Sequence, residues 1–173
     1  SSTRGVIATA YDGNTRAINT INYITIATTG DTTYFGDLLS SVWGLAGCGS
    51  STRGVFGGGS ANSTTLTNII QYVTIASAGD ATDFGDLTLS REQLTAFASP
   101  TRAVAAGGYN AGYKTTMDYV TIASTGNATS FGSLTIGASS PAACSSNTRG
   151  IVGGGLSGVN TNVISYVTTA TTG

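Results

Sequence analysis

The sequence predicts an all-β protein made of a repeated unit of four short antiparallel strands, and three recurring phrases carry this prediction. The first phrase, Thr-Arg followed by Gly or Ala and a β-branched residue, recurs at arginine-to-arginine steps of 49, 49 and 47 residues. The second is a tyrosine followed by mainly β-branched residues, and the third is Phe-Gly-x-Leu. Their defining residues are Arg4, Arg53, Arg102 and Arg149; Tyr23, Tyr72, Tyr119 and Tyr166; and Phe35, Phe84 and Phe131. A fixed period of this length is typical of propellers and solenoids, whose units bury their faces only against neighbouring units.

The first half of one repeat shows two short runs of strand length. A small apolar run at 45–48 turns through residues 49–51 into a second run at 52–56, which ends in the glycines 57–59. Glycine inside or beside a strand marks a turn or a close approach of backbones. We therefore expect two paired strands that pack tightly against a neighbour, followed by the polar loop 60–68.

The second half of the repeat predicts two further strands. The run 69–76 is rich in the β-branched and aromatic residues that favour strands. Residues 77–80 contain Gly and Asp and predict a tight turn, after which 81–87 forms the fourth run. The stretch 90–93 is interpreted as a loop, because helical periodicity is absent from the repeat.

The repeat changes length in one place. The Leu-to-Arg spacing stays at 15 residues, whereas the Arg-to-Tyr spacing is 19, 19, 17 and 17 residues. The differences fall in the loop after the glycine run, and insertions in repeat proteins collect on one face, often the binding face. The candidate interaction residues in or beside these loops are Tyr11, Tyr109, Tyr113 and Lys114. Tyrosine favours interfaces and stacks on sugar rings; the alternative for each tyrosine is packing within its own loop.

The arginine that recurs once per repeat has two interpretations. The four arginines would line a funnel that holds an anionic ligand, or each would bond to carbonyls of a neighbouring unit or pair with Asp37 and Asp86. The fork of the guanidinium suits such contacts. We favour the structural role, and the third repeat tests the pairing with aspartate, because Ser133 replaces the aspartate there while Arg149 remains. The recurring tyrosines and phenylalanines are likewise expected to be structural.

Composition argues against catalysis and against several partners. The chain has no histidine, seven Lys and Arg and eight Asp and Glu, so both the commonest general base and a basic footprint for nucleic acid are missing. No stretch predicts a membrane span or a signal peptide. Asp80, Asp83 and Asp86 have a spacing that suits calcium, but other repeats lack the triplet, and Asp80 is expected to cap its own turn. We predict a protein that is not an enzyme and needs no cofactor or metal.

The two cysteines occupy equivalent positions in two repeats. Cys48 and Cys144 each lie four residues before the threonine of the first phrase, and Phe97 takes this position in the repeat between them. Equivalent atoms two units apart exceed the separation of about 7 Å that a disulfide allows. We expect free, buried thiols.

The motifs together resemble the kelch repeat. A glycine pair closes a strand at 57–58, 107–108 and 153–154, and a tyrosine and then an aromatic residue follow it; phenylalanine stands where kelch repeats have tryptophan, and the first repeat has Ala8-Thr9-Ala10 in place of the glycines. The sequences of the repeats are similar to those of kelch-like repeats in structural proteins of marine bacteriophages. This resemblance covers essentially the whole chain and implies a kelch-like β-propeller.

The strand count indicates an incomplete ring. About 14 strands, or 3.5 four-stranded units of 47–49 residues, form a single repeat array over residues 1–173 with phases near 3, 52, 101 and 148. Propellers typically have 4–8 blades. We expect a fragment of a longer chain or one part of an assembled propeller, so that either a longer parent chain or a homo-oligomer closes a larger ring.

The resemblance implies a structural or adhesive propeller of a phage virion, in a tail or fibre. Its loop face would contact other virion proteins, surface proteins or host glycans. The alternative is a secreted or cell-surface carbohydrate-binding module of a large bacterial protein, with an extracellular location. The parent reading frame would discriminate the two, through virion modules in the first case and a signal peptide in the second.

Overall fold

The computed structural model describes residues 1–8, 17–62 and 65–171, and the regular elements in these ranges are strands without a helix. The β-branched runs and the glycine turns thus form the elements that the sequence predicts. The strands are Arg4–Ala8 (β1), Thr20–Thr25 (β2), Thr33–Asp37 (β3), Ala46–Gly49 (β4), Arg53–Gly57 (β5), Ser60–Asn62 (β6), Thr65–Leu66 (β7), Ile69–Thr74 (β8), Thr82–Asp86 (β9), Thr95–Ala98 (β10), Arg102–Ala106 (β11), Thr116–Thr121 (β12), Thr129–Ser133 (β13), Ala142–Ser145 (β14), Arg149–Gly153 (β15), Leu156–Ser157 (β16), Val159–Asn160 (β17) and Ile164–Thr168 (β18).

Four antiparallel sheets follow one another along the chain, and we call them blades 1 to 4. Blade 1 has the order β1-β2-β3, blade 2 β4-β5-β8-β9, blade 3 β10-β11-β12-β13 and blade 4 β14-β15-β18. The all-β antiparallel prediction is confirmed. The loop predicted over 60–68 contains the small hairpin β6–β7, and β16–β17 forms a similar hairpin in blade 4. The described residues do not close a ring.

A β-bulge recurs in the first three blades and places the repeated phenylalanine. In blade 2, Ile70 pairs with Gly85 and Gln71 pairs with Asp83, so Phe84 is the extra residue of the last strand. The same register shift singles out Phe35 and Phe131. A bulge redirects a side chain and increases the local twist. Each of these rings is thereby buried, and each meets the recurring tyrosine edge to face at 5.8–6.0 Å between centroids.

The hydrophobic core is divided into three clusters, each between two successive blades, and we call these surfaces joints. The joint of blades 1 and 2 buries Ile21, Phe35, Leu38, Val42, Phe56, Val73 and Ala81. The joint of blades 2 and 3 buries Ala46, Val55, Ile70, Phe84, Leu87, Leu94, Ala103, Val120 and Ile122. The joint of blades 3 and 4 buries Phe97, Val104, Ala106, Met117, Phe131, Leu134 and Val152. Stability therefore arises between neighbouring units, as expected for a repeat array.

Side chains on either side of a strand serve different joints. Along β5, Val55 faces blade 3 and Phe56 faces blade 1, as the period of two requires. The outer faces of the terminal blades leave equivalent apolar side chains exposed, among them Ile7 and Ile26 in blade 1 and Ile164 in blade 4. Exposure at these positions follows from the lack of a further described blade.

The cysteine prediction is confirmed in one part and wrong in the other. Cys48 and Cys144 are free thiols. Burial raises the pKa of the Cys48 thiol to about 12. The burial prediction is met only in part: Cys48 is half-buried, and Cys144 is exposed because its strand lies in blade 4, against which no further described blade packs.

Candidate functional site

The recurring arginine and tyrosine of each blade form a stacked pair. The guanidinium carbon lies over the tyrosine ring at 4.5–4.7 Å from its centroid, within the range of a cation–π contact. The pairs are Arg4 with Tyr23, Arg53 with Tyr72, Arg102 with Tyr119, and Arg149 with Tyr166. The ring thus fixes the plane and the direction of the guanidinium.

Three of these arginines donate hydrogen bonds to the next blade. Nη1 of Arg4 donates to the carbonyl oxygens of Ile75 and Ala76 at 3.0 and 2.9 Å. Nη1 of Arg53 donates to the Ile122 oxygen at 2.8 Å, and Nη1 of Arg102 donates to the Thr169 oxygen at 3.1 Å. The sequence left two kinds of partner open, carbonyls of a neighbouring unit and the carboxylates of Asp37 and Asp86. The hydrogen bonds described here go to the carbonyls. The guanidinium groups of these three arginines therefore link each blade to the next one.

The aspartate expected to cap its own turn instead reaches the preceding blade. Oδ1 of Asp80 accepts the backbone N–H of Asp37 at 2.9 Å, and Oδ1 of Asn127 accepts that of Asp86 at 3.0 Å. Beside it, the N–H of Gly79 donates to the Phe35 oxygen at 2.8 Å. The turn-cap prediction is wrong because the last strand of the preceding blade offers an unpaired edge, which the turn covers.

The calcium interpretation finds no site in the part of the chain that the structure describes. No group of three Asp, Glu, Cys or His side chains there is placed to hold a metal ion. The described residues likewise contain no helix long and apolar enough to cross a membrane.

The loop between β11 and β12 brings two of the candidate interaction residues together. The rings of Tyr109 and Tyr113 meet edge to face at 5.5 Å between centroids, and their backbones form an isolated bridge. Tyr109 is exposed, whereas Tyr113 and Lys114 are half-buried. Tyr11 lies outside the described residues. We call Tyr109, Tyr113 and Lys114 the tyrosine loop.

The tyrosine loop is anchored to the segment between blades 2 and 3. The backbones of Glu92 and Tyr109 exchange hydrogen bonds at 3.2 and 2.8 Å. Nδ2 of Asn110 donates to the Ser90 oxygen at 2.7 Å, and the N–H of Lys114 donates to the Gly108 oxygen at 2.9 Å. The aromatic pair is therefore held in place before any partner arrives, which lowers the entropic cost of binding.

A buried ion pair lies beneath this segment, and sequence reasoning missed it. Nη1 of Arg91 lies 2.7 Å from Oδ2 of Asp118, and both side chains are fully buried. Nε of Arg91 donates to the Gly107 oxygen at 2.8 Å, and the Thr88 hydroxyl donates to Oδ1 of Asp118 at 2.5 Å. The available signal was a break in the repeat, since Val42 and Ala138 occupy the positions equivalent to Arg91.

Two buried polar atoms in the same region have no hydrogen-bond partner among the described residues. They are Nη2 of Arg91 and Oε2 of Glu92. Burial raises the pKa of the Glu92 carboxyl, and a hydrogen bond with the Ser60 side chain opposes this rise. Unsatisfied buried groups cost stability. Residues 91–92 thus place polar side chains at positions where the other repeats have Val42 or Ala138 at the first of the two.

Comparison with known proteins identifies the fold and no family. No family model and no curated protein matches the chain. Among solved structures, the "Structure of YjhT" matches with a TM-score of 0.71 and 13% sequence identity over 87% of this chain. The shared property is the fold. YjhT is a kelch-like protein of the propeller type, and the match covers 48% of it, so the chain spans about half of its length.

Proposed function

We propose that this chain is a non-enzymatic, structural or adhesive kelch-like propeller module of a bacteriophage virion, in a tail or fibre, whose tyrosine loop contacts a protein or glycan surface. One observation carries the proposal. The repeated polar groups are used in the joints, where Arg4, Arg53 and Arg102 bond to the next blade and Asp80 bonds to the preceding one. Because these groups make contacts between blades, we assign binding of a partner to the loops that vary between repeats.

The chemistry of the remaining polar groups supports a non-catalytic role. Catalysis by a serine nucleophile needs a base that activates it, and the sequence has no histidine. Asp118 is held by Arg91 and Thr88, so its carboxylate is occupied by a structural contact. The unpartnered carboxylate oxygen of Glu92 is buried, where a substrate would not reach it without displacing the joint.

The tyrosine loop has the chemistry of a small adhesive surface. An exposed tyrosine offers an apolar ring together with a polar hydroxyl, which suits both protein interfaces and sugar rings. Tyr109 has this exposure, Tyr113 supports its ring edge to face, and Lys114 adds a positive charge at the same loop. Its anchoring on residues 90–92 keeps the surface preorganised.

Two measurements test the proposal. Antibodies raised against the purified chain should detect the protein in density-purified phage particles from the source sample rather than in cell envelopes. Fluorescently labelled protein should bind host cells, and Tyr109→Ser with Tyr113→Ser should abolish that binding. The matched control is Tyr34→Ser, which removes an exposed tyrosine from blade 1 and should leave binding unchanged. Absence from particles would overturn the virion assignment.

The same loop also supports a second candidate function, a carbohydrate-binding module of a large bacterial surface protein. The observation that favours it is the Tyr109–Tyr113 pair, since aromatic rings stack on sugars. Detection of the protein in the cell envelope, together with glycan binding that Tyr109→Ser removes, would support this function. Equal binding by the double variant and the parent chain would argue against adhesion through this loop in either setting.

A further inference from the structure

Each joint contains a polar contact at the same place, and the chemistry of this contact differs from joint to joint. A side chain of one blade reaches the residue directly after the leucine of Phe-Gly-x-Leu in the preceding blade. In the joint of blades 1 and 2, Oε1 of Gln71 accepts the backbone N–H of Leu39 at 2.8 Å. In the joint of blades 3 and 4, the hydroxyl oxygens of Thr135 and Ser165 lie 3.0 Å apart. Both contacts join uncharged groups.

The joint of blades 2 and 3 has a charged contact at this place. Asp118 is equivalent to Gln71 and Ser165, because each of them pairs with the fourth residue of the second strand of its blade. Its carboxylate accepts the Thr88 hydroxyl at 2.5 Å and lies 2.7 Å from Nη1 of Arg91. Among the described residues of the other two joints, no ion pair occurs.

Arg91 lies between the two blades at a position where the other joints have apolar residues. Val42 and Ala138 occupy the equivalent positions, and both are buried. Nε of Arg91 also donates to the Gly107 oxygen of blade 3 at 2.8 Å. A blade with an uncharged residue in place of Asp118 would leave this guanidinium buried without a countercharge, which is strongly unfavourable.

Stability alone does not explain the ion pair. Two charges lose their hydration when they are buried, and their attraction compensates for this loss only when the remaining polar atoms also find partners. Nη2 of Arg91 is buried without a hydrogen-bond partner among the described residues. Since Val42 packs at the equivalent place in the core of the joint of blades 1 and 2, we expect an uncharged pair to serve stability equally well.

A second contact makes two of the joints incompatible with each other. In the joint of blades 3 and 4, Phe97 packs so closely on Gly150 that a Cβ at this glycine would collide with the ring. In the joint of blades 2 and 3 the equivalent residues are Cys48 and Ala103, which pack in one apolar cluster. The small side chain of Cys48 leaves room for the methyl group of Ala103, whereas a phenylalanine ring would not.

Wrong pairings of blades therefore meet a penalty. If blade 2 packed on blade 4, Arg91 would face Ser165 and would have no carboxylate. If blade 3 packed on blade 3 of a second copy, Phe97 would collide with Ala103, and Asp118 would be buried without a cation. Misassembly between similar units is a characteristic failure of repeat proteins. Unpaired charges and steric clashes are the usual means by which a protein excludes a wrong partner.

We propose that the ion pair of Arg91 and Asp118 selects blade 3 as the partner of blade 2. The size match of Cys48 and Ala103 supports the same choice. The two charges act on the specificity of pairing rather than on the stability of the joint. These contacts lie inside the array, so the inference does not depend on the tyrosine loop or on the proposed function.

Exchanging the ion pair for the uncharged pair of the first joint separates specificity from stability. The double variant Arg91→Val with Asp118→Gln gives the joint of blades 2 and 3 the residue types of Val42 and Gln71. Its Tm should stay within about 3 °C of that of the parent chain. Each single substitution leaves one buried charge without its partner and should lower Tm by about 10 °C.

Refolding from urea at high protein concentration measures the specificity. Size-exclusion chromatography with light scattering separates chains that regain the starting elution profile from assemblies in which blades of different copies have paired. The double variant should form several-fold more of these assemblies than the parent, in a fraction that rises with concentration. Adding Ala103→Gly removes the collision with Phe97 and should raise this fraction further. Pairing through the correct joint is open to the parent as well, so the comparison removes its contribution.

Val73→Ala is the control for assemblies that form through lower stability alone, since it removes a core contact of the joint of blades 1 and 2 and leaves the ion pair intact. It should lower Tm without increasing the assembled fraction to the level of the double variant. A double variant that refolds as cleanly as the parent would overturn the proposal. So would a double variant that loses as much Tm as the single variants or does not fold, because the pair would then act through stability.

Discussion

At the residue scale, one arginine per blade combines two contacts that depend on each other. The tyrosine of its own blade holds the guanidinium flat, and the carbonyl of the next blade receives its N–H. Arg149 has the first contact with Tyr166, but it is exposed, and the described residues contain no following blade to supply the second. Arg149 is therefore an internal control for how much the hydrogen bond to the next blade contributes to stability.

Replacing Arg53 with Met should lower the free energy of unfolding by about 2 kcal/mol, since a hydrogen bond from a charged donor contributes about 1.5–3 kcal/mol and the cation–π contact about 0.5–1 kcal/mol. Met keeps the apolar contact with Tyr72. Urea denaturation measures the change. Arg149→Met loses the stacking alone and should cost less than about 1 kcal/mol. Equal losses at the two positions would show that the bond to Ile122 contributes nothing.

Glu92 predicts a specific dependence of stability on pH. Its carboxyl is buried with a raised pKa, so the folded state holds the proton above the unfolded pKa of about 4.3. Stability from this group is present at low pH and falls as pH rises from that value through the folded pKa. Glu92→Gln should flatten this part of the curve and raise the free energy of unfolding at pH 7, because the neutral amide has no charge to desolvate.

Urea titrations at pH 4 and pH 7 measure this effect. The control is Asp83→Asn, which removes an exposed carboxylate of blade 2; a change of slope as large as that in Glu92→Gln would assign the effect to net charge. A slope that persists in Glu92→Gln would assign the pH dependence to other groups.

At the element scale, the β-bulge and the glycine of Phe-Gly-x-Leu act together in the contact between two blades. The bulge turns Phe84 into the joint, and the next residue, Gly85, has a φ of 142°. The turn of blade 3 then lies directly on Gly85, where a Cβ would meet the carbonyl of Gly126 at 2.5 Å. The Phe-Gly-x-Leu motif therefore determines how the last strand of one blade contacts the turn of the next blade.

Gly85→Ala should lower the free energy of unfolding by about 3 kcal/mol, because backbone strain of about 1–3 kcal/mol adds to a contact that backbone atoms cannot relieve. Gly112→Ala is the matched control, since its φ is 136° and a Cβ there would meet nothing within 4 Å. It should cost about 1 kcal/mol. Chemical denaturation compares the two, and a Gly85→Ala variant as stable as Gly112→Ala would show that the turn of blade 3 moves away.

The strands were predictable because their signals are local. The run 69–76 was expected from its β-branched residues, and β8 covers Ile69–Thr74. The bulge at Phe84 was not predictable, since an unequal pairing depends on the partner strand. Asp80 shows the same limit at the scale of a side chain, because its acceptor role depends on an edge 43 residues away.

The sites divide in the same way. The variation of loop length indicated Tyr109 and Tyr113, which the structure brings into contact. The Arg91–Asp118 pair was missed because each residue occurs in one repeat alone, and the two meet only when blades 2 and 3 pack. The sequence therefore predicts features that recur in every repeat, whereas a pair of residues that occurs in one repeat, such as Arg91 and Asp118, becomes visible only in the structure.

At the scale of the whole molecule, the cores lie between blades, so the array should behave as a chain of nearest-neighbour units. Removing blade 1 by deleting residues 1–44 exposes the part of the first joint that belongs to blade 2, which is Phe56, Val73 and Ala81. The two joints among blades 2, 3 and 4 keep their contacts. The shortened chain should therefore remain folded with lower stability.

The urea m-value should fall by about a quarter, because m scales with the surface exposed on unfolding. Circular dichroism and amide exchange give the readout, and the amides of β10 to β13 should keep their protection while those of β5 lose part of theirs. Deleting residues 141–173 is the comparison at the other end, where Phe97 and Val104 lose their cover from blade 4. Complete unfolding after either deletion would mean that the blades fold as one cooperative unit, since nearest-neighbour joints alone would leave the remaining blades intact.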